Sequence, residues 1–320
     1  MAAKRKLGKS DLQVSPIAFG GNVFGWTLDQ QQSFRILDAF VDAGFNFIDT
    51  ADTYSMWVPG NRGGESETII GHWLKQRGRR DDLIIATKLG GDLGDGKKGL
   101  GASYIPQAID ASLKRLGTDY IDLYQQHDCD PLAPIEETLR ALDDLVRQGK
   151  VRYVGNSNFP AWRIVEAELV GRAANTVRFV SCQDEYSLLV RGIEKDLLPA
   201  AQHYNLGLLP FFPLASGLLT GKYQRGATAP DDTRFAKMPA LRDRYVTPRN
   251  EDIVEKLEAF AKARGHTMLE LAFSWLAARP QVSSVIAGAT RVEQIEANVK
   301  AIDWALTPDE LAEIDRITLV

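Results

Sequence analysis

Four side chains in the 320-residue sequence are of the types needed to move a proton onto oxygen: Asp49, Tyr54, Lys88 and His127. A phenol donates well but holds its proton too tightly near neutrality, its ordinary pKa being about 10. A cation beside it changes that. One ammonium at about 4 Å, in an effective dielectric of ~20, contributes roughly 4 kcal/mol, or up to about three pKa units. Lys88 is the candidate cation, and Asp49 the counter-charge that keeps it ionised where burial alone would neutralise it. His127 would hydrogen-bond and orient a carbonyl oxygen. Each residue has an ordinary alternative: a turn or capping aspartate, a loop aromatic, a snorkelling lysine, a satisfied histidine at a rim. Their joint occurrence at successive strand ends favours chemistry, with Tyr54 as general acid.

The elements that must position them are short and repeated. Apolar runs predict strands at Ile17–Phe19, Phe45–Ile48, Leu83–Thr87, Ile121–Gln125, Val151–Val154, Phe179–Gln183, Gly207–Phe211 and Ser284–Ile286. Helical periodicity fills the intervals, from Gln31–Ala43 through Ala161–Val170 and Glu194–Tyr204 to Asp309–Ile317. Nearly all-apolar strands alternating with helices imply a parallel sheet covered on both faces. Eight such units predict an α/β fold, a (β/α)8 TIM barrel, as a single domain over residues 1–320 with extra C-terminal helices. Residues 4–14 read as an N-terminal β-hairpin, a small lid turning at Gly8-Lys9-Ser10-Asp11. In such a barrel the chemistry belongs at the C-terminal strand ends, where Asp49, Lys88, His127, Ser157-Asn158 and Gln183 all fall.

Composition narrows the partners. With a net charge of -4 and a pI near 5.7 there is no electrostatic case for nucleic acid. The stretch Leu206–Leu219, broken by two prolines, is too short to span a bilayer. Cys129 and Cys182 cannot build a disulfide framework and fit a reducing compartment; the cytoplasm is expected. The four histidines lack ligand spacing, so no metal is expected.

The segments Gly44–Ala51, Tyr54, Ala86-Thr87-Lys88, Tyr120–His127, Val154–Phe159 and Leu214–Tyr223 together resemble the aldo-keto reductases. The likeness runs along nearly the whole chain with the motifs in order. It implies a metal-free barrel, an extended NADPH/NADP+ cofactor, and Asp49, Tyr54, Lys88 and His127 as the catalytic tetrad acting on a small-molecule carbonyl. It places Ser157, Asn158 and Gln183 on the nicotinamide carboxamide, whose donor and acceptor suit such side chains; Asn158 also reads as a helix N-cap ahead of Pro160. It further assigns Gly21, Asn22 and Asp49 to the cofactor, with Phe211 stacked on the ring where the family usually has Tyr. Phe212 stands where a small polar residue is frequent. Pro213, Leu214, Gly217 and Lys222 would surround the pyrophosphate, and Gly288, Thr290, Arg291, Gln294 and Asn298 the adenosine end. Ala287 and Gly288 depart from the Pro-Lys-Ser of some members, but Arg291 can still take a 2′-phosphate, which favours NADPH over NADH.

Other features bear on neighbouring readings. Gly91–Lys98 nearly spells a phosphate loop, yet it ends in Lys, leads into no helix and carries aspartates; it reads as a mobile loop beside the site. Trp26, Trp57 and Asp128 are candidate substrate contacts, the tryptophans favouring a hydrophobic or ring-bearing carbonyl. Trp73, Trp162 and Trp275 fall on helices and read as packing. The long connection 224–249 reads as a cover over the cofactor. Two alternatives stand beside the reductase. One is a nicotinamide-sensing binding subunit, since the family includes potassium-channel β subunits. The other is a Schiff-base aldolase using Lys88.

Overall fold

Strand side chains alternate between two faces, and a strand apolar on both must be covered on both. The protein, described by a computed structural model over residues 3–94, 96–223, 225 and 234–319, meets that demand by closure. After an antiparallel hairpin, β1 (Arg5–Lys6) and β2 (Gln13–Val14), come the parallel strands β3 (Ile17–Gly20), β4 (Phe47–Asp49), β5 (Ile84–Leu89) and β6 (Ile121–Gln126). They continue as β7 (Val151–Ser157), β8 (Ser181–Gln183), β9 (Gly207–Leu208) and β10 (Val285–Ala287). The order is β10-β3-β4-β5-β6-β7-β8-β9. The ends meet: the Leu208 N–H donates to the Gln281 carbonyl at 2.7 Å, Ser283 to Leu208 at 3.0 Å and Ile286 to Pro210 at 2.9 Å. The result is the expected (β/α)8 barrel.

One face of the strands fills the interior. Ala18, Phe47, Ile84, Ala86, Leu123 and Ile286 pack there with Leu7, Leu12 and Val14 of the hairpin. The opposite face, including Phe19, Ile48, Ile85, Tyr124 and Val154, meets the helices. The hairpin is therefore a floor rather than a lid over the site. Its turn sits against the strands' N-terminal ends, so close that a Cβ on Gly8 (φ +52°) would lie 2.2 Å from the Val180 carbonyl oxygen.

The helices are α1 (Gln30–Asp42), α2 (Glu65–Arg77), α3 (Ile105–Leu116), α4 (Ile135–Arg147), α5 (Ala161–Ala174) and α6 (Leu197–His203). They continue as α7 (Arg234–Lys237), α8 (Pro239–Tyr245), α9 (Pro248–Lys262), α10 (Met268–Ala277), α11 (Val292–Lys300) and α12 (Pro308–Thr318). Reciprocal capping boxes start α1 at Asp29/Gln32, α10 at Thr267/Glu270 and α12 at Thr307/Glu310; such a cap is worth about 1 kcal/mol.

Boundaries shift for local reasons. β4 begins at Phe47, since the Asn46 N–H donates to Ser15 Oγ at 3.2 Å and not to a neighbouring strand. β9 stops at Leu208, short of the expected Phe211; Pro210 has no N–H to extend the ladder, and Phe211 instead bridges Glu185. α6 begins at Leu197, capped by Asp196, and Glu194 belongs to a separate 3-10 turn. Of the long connection, residues 224 and 226–233 lie outside the described residues. Its remainder includes α7 and α8, and α8 is tied to Glu185 through Arg244 and Tyr245.

Candidate active site

At the top of the barrel interior the apolar layers give way to a polar one. Asp49 ends β4, Lys88 lies on β5 opposite Gln125 of β6, and Gln183 ends β8 beside Ser157 of β7. Lys88 and Asp49 are 1% and 0% exposed and pair at 2.6 Å. The ammonium has three protons and three acceptors: Asp49 Oδ2, the Thr50 carbonyl at 3.0 Å and the Tyr54 hydroxyl oxygen at 2.9 Å. On the other carboxylate oxygen, Gln125 Nε2 and Gln183 Nε2 donate at 3.0 and 2.9 Å. An ion pair this deep is tolerable only when every remaining valence is met, and here it is. Gly155 makes room for the arrangement: a Cβ there would fall 2.4 Å from Ser181 Oγ and 3.3 Å from Gln125 Cγ.

Tyr54 reaches this layer from the loop after β4. Its hydroxyl accepts from Lys88, while its own proton has only Asp49 Oδ2 at 3.5 Å, a long contact that a better acceptor would displace. The His127 ring is 5.9 Å from the Tyr54 ring, centre to centre, and inclined by 72°. The four side chains thus converge.

The electrostatics correct one expectation. Burial lowers the Lys88 pKa, but Asp49 and Tyr54 together outweigh it and leave the ammonium above its ordinary range. Tyr54, in contrast, is raised rather than lowered: removal from water, with Asp49, exceeds the pull of Lys88. The phenol is therefore held protonated, not poised for ionisation. Burial, and then Lys88, push His127 down to about 3, so its imidazole is neutral. Because the unfolded chain takes up that proton first, near pH 6.5, His127 adds stability above pH 6.5 that is lost as pH falls toward 3. Between pH 7 and pH 5 the wild type should lose about 2 kcal/mol more than His127→Gln; urea midpoints at the two pH values check this, and equal losses would contradict it.

The candidate cofactor residues line the same rim. Ser157 is buried, and its Oγ accepts from Asn158 Nδ2 at 3.2 Å. Asn158 does not cap α5, whose N-cap is Pro160; it takes a left-handed φ of 57° and donates to the His127 carbonyl at 3.0 Å. Gln183 spends its N–H donors on Asp49 and on Gln125 Oε1, and among the described residues its own Oε1 accepts no hydrogen bond. Phe211 and Phe212 meet edge to face at 5.3 Å. Beyond Pro213, Ala215, Ser216 and Gly217 (φ 45°, 57° and 110°) follow Leu214 in left-handed conformations, a tight turn in which the Ala215 and Gly217 N–H groups donate to the Phe212 and Leu214 carbonyls. Lys222 lies just past it, over the Tyr223 ring. Gly288 abuts Gly20 and Asn22, where a Cβ would find the Gly20 carbonyl oxygen at 3.3 Å, and Gly21 adjoins the Asp49 carbonyl. These features fit an extended dinucleotide. The adenosine-end candidates are more dispersed: Gln294 Oε1 accepts from the Thr290 and Arg291 N–H groups, Arg291 is exposed at the N-cap of α11, and Asn298 is 8% exposed against Phe19 and Phe40.

Trp26 and Trp57 form an aromatic wall, edge to face at 5.6 Å, with Trp57 6.3 Å from the Tyr54 ring. Asp128 follows His127 in sequence and is exposed, its carboxyl raised by partial burial and partly restored by a hydrogen bond with Asn158. Trp73 and Trp275 are buried as expected, but Trp162, in the first turn of α5, is 64% exposed. The loop after β5 is a closed turn in which Gly99 donates to the Gly90 carbonyl and Lys98 pairs with Asp92 at 3.2 Å. Lys98 is thus spent within the loop.

Sequence reading missed two contributors. Gln125 shares the inward parity of Leu123 and His127, a period-two signal that could have found it. Asp52 is 2% exposed with no hydrogen-bond partner on either oxygen among the described residues. Burial, and then Glu67, push it up to about 8, so it is a neutral acid beside the site rather than a second charge. Glu67, by contrast, is held by Thr87 and Arg115, both at 2.6 Å.

Comparison with known proteins bears on this geometry. Residues 16–318 match the model of the Aldo/keto reductase family. A probable voltage-gated potassium channel subunit beta of Arabidopsis thaliana is 39% identical over 98% of this chain and 95% of its own. The oxidoreductase YrpG of Bacillus subtilis is 36% identical, covering 97% and 94%, and the L-glyceraldehyde 3-phosphate reductase of Escherichia coli K12 is 35% identical, covering 98% and 91%. A barrel whose buried polar layer is a lysine shared between a carboxylate and a phenol, matched by that family's model from its first barrel strand to its last helix, belongs to the aldo-keto reductases.

Proposed function

We propose that the protein is an NADPH-dependent oxidoreductase that reduces an aldehyde or ketone to an alcohol, with the whole chain acting as one barrel domain. The observation that carries this is the Lys88 ammonium, 2.9 Å from the Tyr54 hydroxyl and 2.6 Å from Asp49. When bound, the reduced nicotinamide supplies a hydride to the carbonyl carbon. Ser157, Asn158 and the Gln183 Oε1 would hold its carboxamide, Phe211 its ring face, and the 214–217 turn with Lys222 its pyrophosphate. His127 orients the carbonyl oxygen. Tyr54 gives that oxygen its proton, and Lys88 stabilises the phenolate left behind.

The raised Tyr54 pKa suits this sequence of events. An alkoxide is far more basic than a phenolate, so transfer is downhill even from a phenol made less acidic by burial. Keeping Tyr54 fully protonated before hydride arrives matters more than acidifying it. Trp26 and Trp57 favour a substrate with apolar or ring character. A screen of aldehydes and ketones by loss of NADPH absorbance tests the reading; no turnover with any of them would reject it.

For the cofactor, Arg291→Ala should weaken NADPH binding by about 10- to 100-fold, the range for charge-assisted hydrogen bonds. NADH binding should stay nearly unchanged, and equal losses for both would refute the assignment.

A second reading rests on the relatives named as channel subunits: a barrel that binds nicotinamide and docks on another protein. Capture of a membrane channel partner without carbonyl turnover would favour it. A Schiff-base role for Lys88 is disfavoured, since an ammonium held above its ordinary pKa by Asp49 is a poor nucleophile. Among the described residues no helix is long and apolar enough to cross a membrane. With both cysteines free, action in the cytoplasm is the reading we adopt.

A further inference from the structure

If His127 binds the carbonyl oxygen, its neutral imidazole must present an N–H, and it has only one. Which nitrogen carries it depends on what the other nitrogen meets. His127 Nδ1 lies 3.4 Å from Thr53 Oγ1. Thr53 immediately precedes Tyr54 and is 8% exposed. Among the described residues His127 is the one hydrogen-bond partner its hydroxyl has. A buried hydroxyl needs an acceptor for its proton, and Nδ1 is the one in reach.

Packing holds the hydroxyl there. A Cβ on Gly91 would sit 2.4 Å from Thr53 Cγ2 and 3.5 Å from its Oγ1, and one on Gly63 3.7 Å from its Cα. Gly91 leaves the space the threonine methyl fills, and a β-branched side chain so confined has little χ1 freedom. The opposite proton arrangement, with Nδ1–H donating to Thr53, would turn a lone pair of Nε2 toward a carbonyl oxygen and repel it. The separation is long for an O–H···N bond, as such bonds often are before a substrate is bound.

We propose that Thr53 is a positioning residue: its hydroxyl donates to His127 Nδ1, fixes the proton on Nε2, and so supplies the N–H that orients the carbonyl. This rests on the role given to His127 above, and the test separates the two. The protein labelled with 15N-histidine has four imidazoles, and His127→Gln identifies the signals of His127. Wild type and Thr53→Ser should show the Nε2–H form, while the isosteric Thr53→Val should show a mixture. Turnover of a reducible carbonyl should fall about tenfold in Thr53→Val, the size expected from losing one oriented hydrogen bond. NADPH affinity should hold within about twofold in that variant, with Thr53→Ser restoring turnover to near wild type.

A purely structural threonine predicts the reverse. Thr53→Val would then keep both tautomer and rate, and Thr53→Ser, which loses the methyl, would suffer more; either result overturns the proposal. A tautomer change with no rate change would support the Thr53 contact and sink the carbonyl-binding role of His127.

Discussion

Tyr54→Phe should bind NADPH with unchanged affinity and lose about 10²- to 10⁴-fold in turnover, the usual contribution of a positioned general acid. The substitution deletes one oxygen from a half-buried ring whose packing against Trp57 and His127 is otherwise kept. The Lys88 ammonium loses one of three acceptors but retains Asp49 and the Thr50 carbonyl, so the fold should survive with a modest loss. Stopped-flow measurement of the first turnover, with cofactor affinity read separately by fluorescence, checks both halves. A rate within a few-fold of wild type would remove Tyr54 from the chemistry.

Asp49→Asn has the largest expected effect on stability, a loss of about 3–5 kcal/mol for leaving a buried charge without its partner. The carboxylate takes Lys88 on one oxygen and both glutamines on the other. An asparagine oxygen can serve only one side, and its amide would face donors on the other. If the cost is the orphaned ammonium, adding Lys88→Met should recover much of it, because removing both members of a buried pair is far cheaper than removing one. Denaturant midpoints of the two single variants and the double variant decide this. Additive losses would show that the pair is not coupled as the 2.6 Å contact implies.

Much of this site was legible because residue type and strand position agreed. Asp49, Lys88 and His127 each follow an apolar run, and the barrel carries such ends to one rim. Other features depend on quantities a sequence does not display. The direction of the Tyr54 shift turns on how completely water is excluded, and the pull of Lys88 alone suggests the wrong sign. Asn158 suits an N-cap by type, but its left-handed backbone aims it at the His127 carbonyl. Closure through Gln281 and Ser283 involves backbone just ahead of β10 with no side-chain signature. The hairpin's location at the floor needed the Gly8 turn to be seen against Val180.

That floor has a kinetic consequence. Leu7, Leu12 and Val14 seal the far end of the barrel, so on the proposed reading everything the reaction consumes or releases shares one mouth. The phenolate at Tyr54 can regain its proton only from that side, after whatever blocks the opening has left. Recharging the acid and clearing the product are then successive uses of a single doorway, and a slow exit would delay both together.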